Sequence, residues 1–209
     1  MAYFGLSKPV IAKYNAADGS YSEGMGIGKL CSTSVTPSLA EGSLYADNAE
    51  SEHKKRFKNA AVAVEVDALP IEAAELLFGH TIDSSKKSDI SKTSDSANYV
   101  GYGFVVMNTK GGTDSYTGVW LEKVLFTEGE ESFTTSGDNI TFSTPKLSGV
   151  AVGNEAGEWR EKQTFDTEAE AYDFIKKKAN ITLKLAIILK MLRLKTNITL
   201  RIQILKLVL

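Results

Sequence analysis

Few residues in this chain could make or break bonds, and their spacing does not gather them. His53 and His80 are the only histidines and Cys31 is the only cysteine. Nucleophilic catalysis needs Ser or Cys beside a histidine that a third group orients. His53 lies in the charged stretch 47–58, and His80 follows the helix-stopping glycine Gly79, so neither has such a neighbour in sequence. A structural zinc set needs four Cys or His ligands at close spacing, which this count does not allow. A carboxylate pair could cleave a glycosidic bond, but the 26 acidic residues are scattered and no pair stands out. Gly24, Gly26 and Gly28 do not have the spacing of a dinucleotide fingerprint and no βαβ pattern surrounds them; they read as the bulged start of a strand. The expectation is a protein that is not an enzyme, with no catalytic, cofactor-binding or metal-ligating residue and no cofactor.

Two weaker signals concern binding. Lys54, Lys55 and Arg56 could touch nucleic acid, but Glu50 and Glu52 stand beside them, and mixed signs read as a solvated hairpin tip. Trp120, Trp159, Tyr99, Tyr102 and Tyr116 could form a stacking platform for sugars; buried aromatic core is the other use. Asn139, Asn180 and Asn197 each open an Asn-Ile-Thr triplet. Glycosylation is not expected there, because the first residues lack the apolar core of a secretory leader.

The elements that would position these residues are mostly strands. Residues 99–107 and 116–126 are rich in aromatic and β-branched residues around Gly111-Gly112, a hairpin signal. With period two, Tyr116, Gly118, Trp120 and Glu122 share one face, and Thr117, Val119, Leu121 and Lys123 the other. Neither face is purely polar, so the hairpin should lie between two layers. Further strands are expected at 9–14, 29–36, 41–46, 60–67, 132–135, 140–144, 147–152 and 158–165, with tight turns at 15–20 and 136–139. Residues 1–8 read as an extended arm, and 83–97 as a long polar loop or hairpin.

Two helices carry clear end signals. Pro70 suits the start of a helix over 70–78, and Gly79 can take the left-handed cap. Thr167 with Glu170 has capping-box spacing, and Lys176, Lys177 and Lys178 match the negative end of a helix over 167–178. The expected fold is mainly β (α+β): a β-sandwich or barrel of two packed sheets, with a short mid-chain helix and a C-terminal helix.

Hydrophobic residues make up 43% of the chain and charged ones 24%, a globular balance. A single cysteine rules out an internal disulfide and points to an intracellular folding compartment. No run approaches the roughly 20 apolar residues of a spanning helix, so no membrane is expected. The net charge of −2 hides an asymmetry: residues 180–209 hold six basic residues and no acid, leaving 18 basic and 26 acidic residues, a net of −8, on the rest. In that last segment Asn180-Ile181-Thr182-Leu183-Lys184-Leu185 recurs as Asn197-Ile198-Thr199-Leu200-Arg201-Ile202. It reads as an extension to a domain over 1–179: a basic amphipathic segment, an appended strand pair, or the translated product of a frame shift or lost stop codon.

The element order, together with Tyr3-Phe4-Gly5-Leu6-Ser7-Lys8-Pro9, Val119 to Val124, Phe133 to Pro145 and Thr167 to Lys178, resembles the major tail protein of long non-contractile-tailed bacteriophages over residues 1–179. The resemblance implies a structural virion protein. Six copies would form a ring, rings would stack into a tail tube, and strands of neighbours would join in a β-barrel around the lumen. Its implied partners are other copies of itself, the tape measure protein, and the tail terminator and distal tail proteins. DNA would transit the lumen without specific binding, and assembly would take place in the host cytoplasm. The acidic body agrees, since a basic wall would hold phosphates through counterion release. Subunit contacts are expected at Phe4 and Leu6 of the arm, at Lys55 and Arg56, and at Ile90, with removal of residues 1–8 impairing polymerisation and sparing the fold. A host- or carbohydrate-binding β-sandwich module is the alternative.

Overall fold

The computed structural model describes residues 2–83, 85–133, 135 and 142–181. In chain order it contains β1 (Ala2–Tyr14), β2 (Tyr21–Gly26), β3 (Leu30–Ala46), β4 (Ala49–Val66), α1 (Ile71–Phe78), β5 (Thr81–Asp83), β6 (Ser88–Ile90), β7 (Tyr99–Lys110), β8 (Thr113–Glu128), β9 (Lys146–Val152), β10 (Arg160–Phe165) and α2 (Glu168–Lys178). The mainly β, α+β class expected from the sequence is present: a large antiparallel sheet, the small β5–β6 sheet, a mid-chain helix and a C-terminal helix.

The large sheet runs β2-β1-β7-β8-β9-β4-β3, and β10 joins it on β8. One edge of β8 pairs with β7; the other is shared, by β10 over Tyr116 to Leu121 and by β9 over Lys123 to Glu128. Between the two, Val100 faces Val124 and Tyr102 faces Leu121, so Glu122 and Lys123 together oppose Gly101. Such a bulge shifts the side-chain alternation by one residue. The expected alternation therefore holds up to the bulge, with Val119 and Leu121 facing the main core, and beyond it the core positions are Val124 and Phe126.

The sheet rolls until β3 returns to β1, and the Tyr102 hydroxyl donates to Thr33 Oγ1 at 3.3 Å across the interior. Tyr102, Phe104, Val62, Val64 and Val66 fill that interior, closed by Ala73, Leu76, Leu77 and Phe78 of α1. The opposite face carries Val10, Ala12, Val105 and Trp120, covered by Ala171 and Ile175 of α2. Gly101 and Gly103 leave the space that the fully buried Trp120 indole fills: a Cβ on either would lie 2.2 or 2.5 Å from it.

Local signals hold at both helices. Gly79 is left-handed and its N–H donates to Glu75 O. Thr167 Oγ1 accepts from the Glu170 N–H, the N-cap half of a capping box, and donates to Glu170 Oε2 in place of the return bond to its own backbone N–H. Asp47 and Asn48 both have positive φ, which suits a two-residue hairpin turn between β3 and β4.

Other expectations change. Residues 2–7 are extended, but they form no free arm: Ala2 to Ser7 pair with Thr109 to Val105 of β7. Left alone, that edge of β7 would present unpaired backbone groups, so removing 1–8 would strip a ladder from the sheet and would not spare the fold. The described residues of 83–97 belong to the β5–β6 hairpin and its flanks. No strand forms over the described residues of 132–135 or 142–144; Thr134, the turn at 136–139, Ile140 and Thr141 lie outside the described residues, as does 182–209.

Candidate assembly interface

The densest set of titratable groups lies where α2 ends on the sheet. Glu122, at the bulge, is only 4% exposed. Its carboxylate accepts from the Tyr21 hydroxyl and meets Lys178 Nζ at 3.2 Å, and Lys178 also pairs with Glu161. Beside it Glu155 accepts from the Tyr14 hydroxyl and pairs with Lys123 at 2.9 Å. Burial, then the bond to Glu122, pushes the Tyr21 phenol far up. The Glu155 bond, then burial, raises Tyr14 to about 12, and the bonds from Tyr14 and Lys123 lower Glu155 to about 2. Acid–base catalysis needs groups tuned toward the working pH; these are driven away from it. The cluster acts as a brace between helix and sheet.

A second knot fastens the β5–β6 hairpin. His80, 7% exposed, has Nδ1 at 3.0 Å from Asp89 of β6 and Nε2 at 3.3 Å from Glu128 of β8. Burial alone would lower its pKa, but the Asp89 hydrogen bond and the charges of Asp89, Glu128 and Asp95 outweigh burial and raise it. A raised histidine adds stability that is complete below the unfolded value of about 6.5 and is lost as pH rises through the folded value. His80→Gln should therefore be less stable than the parent by on the order of 2 kcal/mol near pH 5.5, the scale of a hydrogen bond to a charged group. The gap should close at higher pH. Melting curves of both proteins from pH 5.5 to 8.5 test this, and a gap independent of pH would refute it. Among the described residues, no three His, Cys, Asp or Glu side chains are placed to hold a metal ion.

The features that call for a neighbour lie elsewhere. β4 pairs with β9 only over Ala60 to Glu65, whereas its pairing with β3 continues outward to Ala46 and Ala49. From Ser38 to Asn59 the two strands therefore leave the body as a ribbon roughly 30 Å long at the usual strand rise. Its root is fixed by Phe57, which stacks on Trp159 at 4.5 Å. Beyond that, Leu39, Leu44 and Tyr45 are 48%, 59% and 69% exposed. A two-stranded ribbon alone in water is marginal, and apolar side chains along it add an aggregation hazard. Among the described residues, β2, β3 and β10 each also keep one edge without a strand partner.

Where the sheet rolls up, the closure is incomplete and leaves a groove of about 690 Å³. Its floor includes Phe104, Val106 and Val119, Phe4 and Leu6 line it from β1, and Arg160 and Lys162 line it from β10. At i and i+2 on one strand, the two cations share a face.

The expected interface residues thus fall into three places. Phe4, 56% exposed, and the half-buried Leu6 meet in the groove. Lys55 and Arg56 are exposed on the ribbon, with Lys55 paired to Glu41 at 3.0 Å. Ile90 is exposed on the β5–β6 hairpin, apart from both. Sequence reasoning missed Arg160 and Lys162, although their alternation was a usable signal, and it missed Leu39, Leu44 and Tyr45, whose exposure depends on β9 stopping short. The proposed sugar platform does not form: Trp120 and Tyr102 are fully buried, and Trp159 is stacked on Phe57 and under Arg160.

No family model matches the chain, and no curated protein matches it. No described helix is long and apolar enough to cross a membrane.

Proposed function

We propose that this chain is a tail-tube subunit of a long non-contractile-tailed bacteriophage, which polymerises as stacked six-membered rings into the channel for DNA. The observation that carries this reading is the projecting ribbon, Ser38 to Asn59, with its exposed Leu39, Leu44 and Tyr45. That shape is a poor one for a solitary molecule and a good one for a subunit that lays the ribbon on a neighbour. The edges of β2, β3 and β10 that lack a strand partner among the described residues supply further joints. The excess of acids outside residues 180–209 suits a bore that phosphates pass without adsorbing. In this reading the tube holds a tape measure protein and is capped by terminator and distal tail proteins.

Electron microscopy of the purified chain over a concentration series tests the proposal. Rings or tubes of uniform diameter are expected, lengthening with concentration. A strictly monomeric protein at millimolar concentration, by microscopy and by sedimentation, would overturn it.

A further inference from the structure

The loop between β8 and β9 presents an unusual pairing of residue types. Glu130, Glu131 and Phe133 are all exposed, Phe133 at 87%. Just before them Gly129 is pressed against the Lys146 backbone, where a Cβ would lie 2.0 Å from the carbonyl oxygen. The segment therefore leaves the body from a fixed point. Two carboxylates and a phenyl ring in four residues match, in charge and apolarity, what the groove offers.

The groove has an apolar floor of Phe104, Val106 and Val119 and a cationic rim of Arg160 and Lys162. Neither cation takes part in an ion pair among the described residues. Burial and the neighbouring Arg160 charge lower the Lys162 pKa, so an anion at this rim would relieve a standing repulsion.

The segment falls short of the apolar floor of its own chain's groove. Val119 in the floor and Glu128 at the end of β8 lie on the same strand, about 30 Å apart at the strand rise. From Glu128, the five residues to Phe133 span at most about 18 Å. A Phe133 ring seated on that floor therefore belongs to another molecule.

We propose that the groove between β1, β3 and β10 is a socket for the Glu130–Phe133 segment of a second copy, with Phe133 on the apolar floor and Glu130 and Glu131 against Arg160 and Lys162. The socket rests on the reading of the chain as a self-assembling subunit and names one of its joints. A groove of this volume has room for a short peptide, and the charged rim sets register while the ring supplies the apolar contact.

The test has two arms. In the first, a fluorescent peptide covering residues 127–135 is titrated against the dilute full-length chain by anisotropy. Saturable binding is expected, weakened at least tenfold by Phe133→Ala in the peptide, by Lys162→Glu in the protein, and by raising salt from 0.1 to 0.5 M. Lys162 is exposed on an edge strand, so the variant should fold, which circular dichroism checks. In the second arm, Glu130→Lys with Glu131→Lys should block assembly, and adding Arg160→Glu with Lys162→Glu should restore it. Absent peptide binding, binding indifferent to Lys162→Glu, or a groove that takes decanoate but not the peptide would each overturn the socket. The two readings fail separately. Tubes that form unchanged from the Glu130/Glu131 variant would sink the socket and leave the tail-tube reading standing. Peptide binding by a chain that never polymerises would do the reverse.

Discussion

Gly101→Val should cost the fold on the order of 3 kcal/mol, the upper range for overpacking a filled core, and lower the melting temperature by roughly 6–12 °C for a chain of this size. A Cβ at Gly101 would lie 2.2 Å from the Trp120 ring and 2.6 Å from the Tyr21 ring. Neither can yield cheaply. Trp120 is fully buried beneath α2, and the Tyr21 hydroxyl is held by Glu122 at the bulge. The damage should pass along that brace, from the indole to the Tyr21–Glu122–Lys178 cluster and so to the seat of α2. Tryptophan emission should shift to the red as Trp120 loses its slot. Gly42→Ala is the control: nothing lies within 4 Å of the new methyl group and Gly42 does not need a positive φ, so its effect should stay within about 0.5 kcal/mol. Equal melting temperatures for the two variants would show that the slot has slack, and the account of why these glycines are glycines would fall with it.

That pair of glycines marks how far the sequence could be read. Signals confined to a few neighbouring residues came through. Val62, Val64 and Val66 point inward as their alternation requires, Thr167 caps the Glu170 N–H, and Gly111-Gly112 turns the hairpin. Each is decided by local backbone geometry. What failed depended on residues far apart in the chain. Gly101 and Gly103 look like weak points in a strand until Trp120, on the next strand, is seen to fill them. Nothing near Glu122 announces a bulge, because the extra residue shows only against the register of β7. The first residues resemble an arm because their partner, β7, lies a hundred positions away. The same limit hid the candidate interface. Leu39, Leu44 and Tyr45 sit in a strand of ordinary composition, and among the described residues the short reach of β9 leaves them without a strand layer to cover them. The groove is assembled from β1, β3, β7, β8 and β10, a set that no local pattern could gather.

The ribbon gives the sharpest test of what the molecule is for. Leu44→Lys combined with Tyr45→Lys should leave the monomer untouched and abolish assembly. Both side chains are mostly exposed and lie beyond the last residue of β4 that pairs with β9, so the folded chain loses no contact with its core. Its melting temperature and circular dichroism should match the parent, as exposed substitutions usually allow. In a polymer, each ring would bury these side chains against the next, at roughly 1.5–3 kcal/mol apiece. Losing both, and placing two ammonium groups where the neighbour offers an apolar surface, should raise the concentration needed for tubes at least a hundredfold, at 1.4 kcal/mol per factor of ten. The sign matters as much as the size. The ribbon already carries Lys54, Lys55 and Arg56 beside Glu41, Glu50 and Glu52, so two further lysines change its apolar area more than its charged character. If the double variant forms tubes at the parent's concentration, the ribbon is not a joint. The exposed leucines and tyrosine would then need a different partner, and the tail-tube proposal would lose the observation that carries it.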